Sequence, residues 1–208
     1  MKRAAGAMRE LSFGGFVLRV AAWLPPAFLV WYAAATIFAW PIALLTEAAA
    51  RLAFGDLVSK VEQHGYIVTI VSSLQAGVAT TENPTEGVVS VALNTLLYSF
   101  GYPMLAALTL AARQPHSWRT LLVGYFALAP FVTWGIVAEF LKHVAFDTPA
   151  SIASQAGFDA TQRELIAFAY QFGVLILPTV APAVFWVLTH RSFLERFAAA
   201  RRPVARLQ

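Results

Sequence analysis

The stretch VSVALNTLLYSFGYP, Val89 to Pro103, alternates like a strand up to Leu93, changes period at Asn94, and continues as an apolar helix carrying Tyr98, Ser99 and Tyr102. A β-branched run that becomes an apolar helix with no linker reads as a water-exposed strand joined directly to a membrane rod. Asn94 is then the expected helix N-cap, its side-chain oxygen taking an orphan backbone N–H. Tyr98 and Tyr102 follow at i+4 and i+8, so all three share roughly one face of the outer turns, where a tyrosine ring and hydroxyl suit the interface. A cap plus an aromatic belt accounts for these residues. A second reading is that the junction offers an edge strand and a tyrosine-lined surface to a polypeptide or partner. Gly101 lets another backbone approach, and Pro103 withdraws a donor and frees a carbonyl one turn earlier.

Composition supports the membrane reading. Of 208 residues, 59% are hydrophobic and 12% charged, against roughly a quarter charged in soluble domains. A chain of this size is expected to form one domain, because each spanning helix must pack on the others to satisfy its few polar groups. There is no cysteine, which removes disulfides, thiolate nucleophiles and cysteine metal sites together. The net charge of +4 lies mostly at the two ends and in one short loop, a distribution that sets membrane orientation rather than nucleic-acid binding.

Four apolar stretches are long enough to cross: roughly 17–45, 95–112, 120–144 and 165–189, given about 20 helical residues per crossing. The first is overlong for an upright span, and Pro25 and Pro26 are the expected place for a bend. Lys2, Arg3 and Arg9 precede the first span, Arg113, His116 and Arg119 join the second to the third, and Arg191, Arg196, Arg201, Arg202 and Arg206 follow the fourth. By the positive-inside rule these segments, including both termini, face the cytoplasm. The other connections carry Glu47, Asp56, Glu62, Glu82, Glu86, Asp147, Asp159 and Glu164 and belong outside. The basic tail, 190–208, sets Phe193, Leu194 and Phe197 among arginines. That suits a topology anchor or an interfacial helix on anionic membrane lipid.

The outside segment 46–93 is expected to form a small cap. In LTEAAARLAFGDLVSKVEQHG, Phe54, Leu57, Val58 and Val61 recur at helical spacing, giving an amphipathic helix closed by Gly65. YIVTIVSSL and GVVSVALN then read as two strands of a hairpin joined through ENPTE. The expected fold is an all-α integral membrane protein of four transmembrane helices with this helix and hairpin between the first two.

Chemistry-bearing residues are few. Glu62, Gln63 and His64 end the expected amphipathic helix and, with Asn94, Tyr98 and Tyr102, are the partner-binding candidates. The alternative is a membrane-embedded hydrolase or transferase using His64, Glu62 or Glu139 at the outer surface, with Ser72 or Ser73 as nucleophile. A small-molecule transporter is a third reading. In EFLKH, Glu139 stands three before Lys142 and four before His143, a spacing for interfacial ion pairs that lacks the further ligands a metal needs. No ionisable group lies at the midplane of a span, which argues against a pump. No cofactor, metal or catalytic residue is assigned.

LRVAAWLPPAFLVWYAAATIFAWPIALL, then VEQHG and a short apolar strand, then LNTLLYSFGYPMLAALTLAA, resemble the exosortase H-associated membrane proteins, over about the first half of the chain. The family pattern of an asparagine, a proline and a tyrosine-containing run ending in glycine and proline differs here. Thr95 follows Asn94, and Tyr102 separates Gly101 from Pro103. The resemblance implies a small bacterial inner-membrane protein with an accessory role beside an exosortase-type enzyme or its substrate polypeptide, and it carries over no catalytic residues. Together with the expected periplasmic cap it favours a non-catalytic partner.

Overall fold

A computed structural model describes residues 13–76 and 87–199. The expected turn through ENPTE, the basic residues Lys2, Arg3 and Arg9, and Arg201, Arg202 and Arg206 of the tail lie outside the described residues.

The first apolar stretch forms two helices, α1 (Phe13–Ala33) and α2 (Ala35–Phe54). The expected bend at Pro25 and Pro26 is not where the helix breaks: both prolines lie inside α1, and the interruption is at Ala34. The hydrogen-bond ladder nearly carries across it, with Ala34 donating to Val30 and accepting from Ile37 and Phe38. The two helices therefore run end to end. The break falls where the packing partner changes, from the helix Gly101–Ala111 beside α1 to the helix Ser117–Lys142 and the sheet beside α2. Carbonyls just beyond it take side-chain donors, Gln63 Nε2 on Thr36 O at 3.1 Å and Tyr125 Oη on Phe38 O at 2.9 Å.

The cap is not a helix plus hairpin. It is a three-stranded antiparallel sheet in the order β1 (Val58–His64), β2 (Ile67–Gln75), β3 (Val88–Asn94). The helical stripe is divided: Phe54 ends α2, Leu57 lies in the turn and Val58 and Val61 belong to β1. The ladder to β2 outweighs that local periodicity, because a strand there pairs Lys60 with Val71, Glu62 with Thr69 and His64 with Ile67. Gly65 does not close a helix. With Tyr66 it forms a two-residue hairpin loop, at φ +64°, a conformation that favours glycine. The expected pairing of YIVTIVSSL with GVVSVALN is present as β2 and β3, Ile67 opposite Asn94 and Val71 opposite Ser90. Val68, Ile70, Leu74, Val91 and Leu93 bury one face of the sheet in the same core as Ile42, Ala50 and Ile136.

After β3 come a short helix α3 (Leu96–Ser99) and α4 (Gly101–Ala111). Residues 96–111 rise only about 24 Å, less than a hydrocarbon core of about 30 Å. Next is α5 (Ser117–Lys142), running into a π-helical turn at His143–Asp147. The helix α6 (Ala150–Ala153) leads to α7 (Ala160–Gln171), a second π turn at Phe172–Ile176, α8 (Leu177–Thr189) and α9 (Arg191–Ala199). Among the described residues, four helices are long and apolar enough to cross a membrane: 13–33, 35–54, 117–147 and 160–189. The last two, of 31 and 30 residues, rise about 46 and 45 Å at the α-helical pitch. Both outreach the hydrocarbon core, so the bundle has length to spare beside the sheet. The protein is thus mostly helical with a small sheet, and the segment 95–112 is a shorter apolar helix rather than one of the four.

Candidate functional site

The sheet is fastened to the bundle at the junction that opens the sequence. Asn94 is not the N-cap itself: it ends β3, and Thr95 takes the cap position. From one residue earlier, Asn94 Oδ1 accepts from the Leu96 N–H at 3.0 Å, relieving one of the donors a helix start leaves unpaired. Thr95 places both its hydroxyl, at 2.7 Å, and its N–H, at 3.2 Å, on the Tyr66 carbonyl at the hairpin tip. On the other side of the sheet Gln63 Nε2 bridges Thr36 O and Gly65 O. The strand thus enters the helix with almost no freedom to pivot.

One turn on, Tyr98 does not belong to an aromatic belt. It is 2% exposed, its ring laid on Gly135, where a Cβ would come within 2.2 Å of it. Its hydroxyl donates to Glu139 Oε2 at 2.6 Å. Tyr102 is also interior, its ring 6.0 Å from Phe38 and 5.0 Å from Tyr125, with its hydroxyl on the Tyr125 carbonyl. Neither ring reaches a lipid interface, because α3 and α4 sit against α5 rather than outside it. Gly101 is the point of closest approach, its missing Cβ leaving 2.7 Å to the Pro178 carbonyl and 3.0 Å to the Pro182 ring.

Glu139 begins a polar chain along α5. His143 Nε2 lies 3.9 Å from Glu139 Oε1, and His143 Nδ1 lies 2.7 Å from Asp147 Oδ2. The same Asp147 oxygen accepts from Lys142 Nζ at 2.6 Å, and Lys142 stands 5.4 Å over the Tyr170 ring of α7. The expected Glu139–His143 neighbourhood is present. Lys142, however, pairs with Asp147 rather than with Glu139. A π turn adds a residue per turn to the helix, and it carries Asp147 to where both bases reach it. Glu139 retains 16% of its side-chain exposure, His143 35% and Asp147 39%. The chain therefore runs from the buried cap junction to the surface. It sets a carboxylate, an imidazole and a second carboxylate in series, with the Tyr98 hydroxyl at its inner end.

The other candidates lie apart. Glu62 pairs with Lys60 at 2.6 Å, which holds its carboxyl below the usual range. Among the described residues no hydrogen bond or ion pair joins Glu62 or His64 to Glu139. Ser72 and Ser73 donate to the backbone carbonyls of Val89 and Asp56. No group of three or more histidine, aspartate or glutamate side chains is arranged for a metal among the described residues. Sequence reasoning missed the partnership of Tyr98 and Glu139. The available signal was a lone carboxylate late in an apolar helix, which needs a donor.

Between α2, α5 and α7 lies an apolar cleft of about 570 Å³, lined by Ala49, Ala53, Thr133, Ala138, Ile166 and Ala169 among others.

No curated protein and no solved structure matches the chain. The family described as exosortase H-associated membrane protein matches residues 10–193. The likeness extends through the long helices to the start of α9, well past the first half where the sequence motifs lie. The chain belongs to the exosortase H-associated membrane protein family.

Proposed function

We propose that this protein is a non-catalytic accessory of an exosortase-type sorting system, holding its sheet at a set height above the bacterial inner membrane so that it meets the enzyme or the polypeptide it processes. Family membership implies the association with exosortase H. The observation that carries the mode of action is the rigid junction at Asn94, Thr95, Tyr98 and Glu139, which couples the sheet to α5 without a hinge. A cap fixed in this way positions a partner rather than reaching for one. In this reading the cap is periplasmic, both termini are cytoplasmic, and the docking element is β3.

The two edges of the sheet differ. On β1, Arg51 reaches the Ser59 carbonyl and Gln63 the Thr36 carbonyl, so α2 lies along it. The other edge strand, β3, exposes Ser90 and Ala92, and an extended polypeptide pairs with such an edge through its main chain. The test is affinity purification in mild detergent from cells that carry the exosortase. Wild-type protein should retain the enzyme or its substrate, whereas Ser90→Pro or Ala92→Pro, at unchanged protein level, should lose it. Purification with neither partner removes the proposal. Orientation is testable separately: the chain has no cysteine, so Glu62→Cys alone should react with a membrane-impermeant maleimide on intact spheroplasts.

A further inference from the structure

The end of the bundle opposite the sheet is built around the short loop between α4 and α5. Two of its residues, Arg113 at φ 49° and His116 at φ 62°, are non-glycine residues in the left-handed region. Such backbone persists only where its surroundings hold it, and it gathers at ligand clamps. Gln114 does the holding. Its Nε2 donates to Ala112 O at 3.3 Å, its own carbonyl accepts from Ser117 Oγ at 2.7 Å, and its Oε1 accepts from Arg196 at 3.0 Å. Arg196 belongs to α9, which is itself docked. Phe193 is 5% exposed, its ring 5.5 Å from Phe16 and 6.1 Å from Trp186.

Segments far apart in sequence are thus locked at one end, and their bases turn outward. Arg113, Arg119, Arg191 and Arg196 are all exposed, as is His116, against a single carboxylate, Glu195, within residues 112–119 and 190–196. No acidic residue stands in the first turn of α5 to offset them. Next to these charges the surface is apolar: Trp118 is 62% exposed, Leu122 52% and Leu188 51%. The Arg119 guanidinium lies 5.3 Å over the Trp118 ring.

We propose that this end is a binding site for the phosphodiester headgroup of an anionic membrane phospholipid, with Arg196, which Gln114 holds against the loop, on the phosphate, the other bases adding to the positive field, and the acyl chains against Trp118, Leu122 and Leu188. Guanidinium groups present paired donors that fit phosphate oxygens. The apolar flank selects a lipid over a free anion, which would leave it unused. The site stands independently of any role with an exosortase.

Full-length protein purified in a neutral detergent is titrated with phosphatidylglycerol, phosphatidylcholine or inorganic phosphate, and bound lipid is counted by native mass spectrometry alongside the melting temperature. Phosphatidylglycerol should be retained and raise the melting temperature, while phosphatidylcholine and phosphate should do neither. Arg196→Gln should cut retention about fivefold, and Arg191→Gln, on another face of α9, should cut it less. Gln114→Leu, which leaves net charge unchanged, should also reduce it, because it releases Arg196 from its anchor. Equal retention of phosphatidylcholine overturns the proposal, as does a phosphate shift that matches the lipid's. Loss in the arginine variants with wild-type retention in Gln114→Leu means diffuse charge attraction and overturns the built site. Arg191 and Arg196 are exposed and Gln114 is half-buried, and an unchanged melting temperature without lipid certifies that each variant is folded.

Discussion

The Tyr98 hydroxyl and the Glu139 carboxylate, 41 positions apart in sequence, share a 2.6 Å hydrogen bond that ties the end of the sheet to the middle helix of the bundle. Bonds to a charged acceptor contribute about 1.5–3 kcal/mol, and a carboxylate left without its donor in a mostly buried site costs at least as much as the lost bond. Tyr98→Phe is therefore expected to destabilise the protein by about 2 kcal/mol. Glu139→Gln keeps an acceptor for the hydroxyl and should cost less. A double-mutant cycle on thermal unfolding in detergent measures the coupling directly; a coupling near zero means that the bond does not anchor the cap.

Gly135 admits no side chain, since its Cβ would stand 2.2 Å from the Tyr98 ring. Gly135→Ala must displace that ring and with it the hydroxyl on Glu139, so a loss of about 1–3 kcal/mol is expected from overpacking. Gly157→Ala offers a contrast, because nothing lies within 4 Å of the added methyl although φ is +66°. Its cost should come from backbone strain alone and be about 1 kcal/mol. Equal melting temperatures for Gly135→Ala and wild type would contradict the packing described.

At the strand-to-helix junction, Asn94→Ala removes the acceptor for the Leu96 N–H and should cost about 1 kcal/mol. Thr95→Val keeps the shape and removes the hydroxyl from the Tyr66 carbonyl, with a similar cost of about 1 kcal/mol. The readout that separates a junction effect from general destabilisation is hydrogen exchange. Amides of β2 and β3 should lose protection before those of α5 and α8, and uniform loss across the chain would argue against a local role.

His190 gives the protein a predictable response to acid. Its side chain is 3% exposed, stacked 5.0 Å from Trp186, with Nδ1 on the Trp186 carbonyl. Burial lowers its pKa, and the carbonyl opposes that only in part. An unfolded histidine binds its proton below about pH 6.5, while the folded one resists it. The unfolded state thus takes up more protons, so stability falls as pH drops from about 6.5 toward the folded-state value and is unaffected well above it. Melting temperatures at pH 7.5 and 5.5 should differ more for wild type than for His190→Gln. Parallel profiles would show that another group governs the acid response.

Much of this architecture is legible in the chain alone. The low charge and long apolar runs identify a membrane protein, because no soluble core could absorb them. The switch from period two to helical spacing at Asn94 locates the junction between sheet and helix, because alternation and helical stripes each report which face of a segment is apolar. The motifs around Pro25, Gln63 and Tyr98 carry the family resemblance.

Tertiary structure decided the rest, where two local readings were equally good or where the partner lies far away. Phe54, Leu57, Val58 and Val61 satisfy a helical stripe, yet Val58–His64 is a strand, because β2 stands beside it and offers a ladder of hydrogen bonds that no local periodicity reveals. The helix breaks at Ala34 rather than at the prolines because its packing partner changes there. Tyr98 reads as an interfacial ring until α3 is laid against Gly135 and the ring meets Glu139. Apolar pattern is a property of a segment and can be read from it, whereas a hydrogen bond or a close glycine contact belongs to two segments at once and exists only when the fold brings them together.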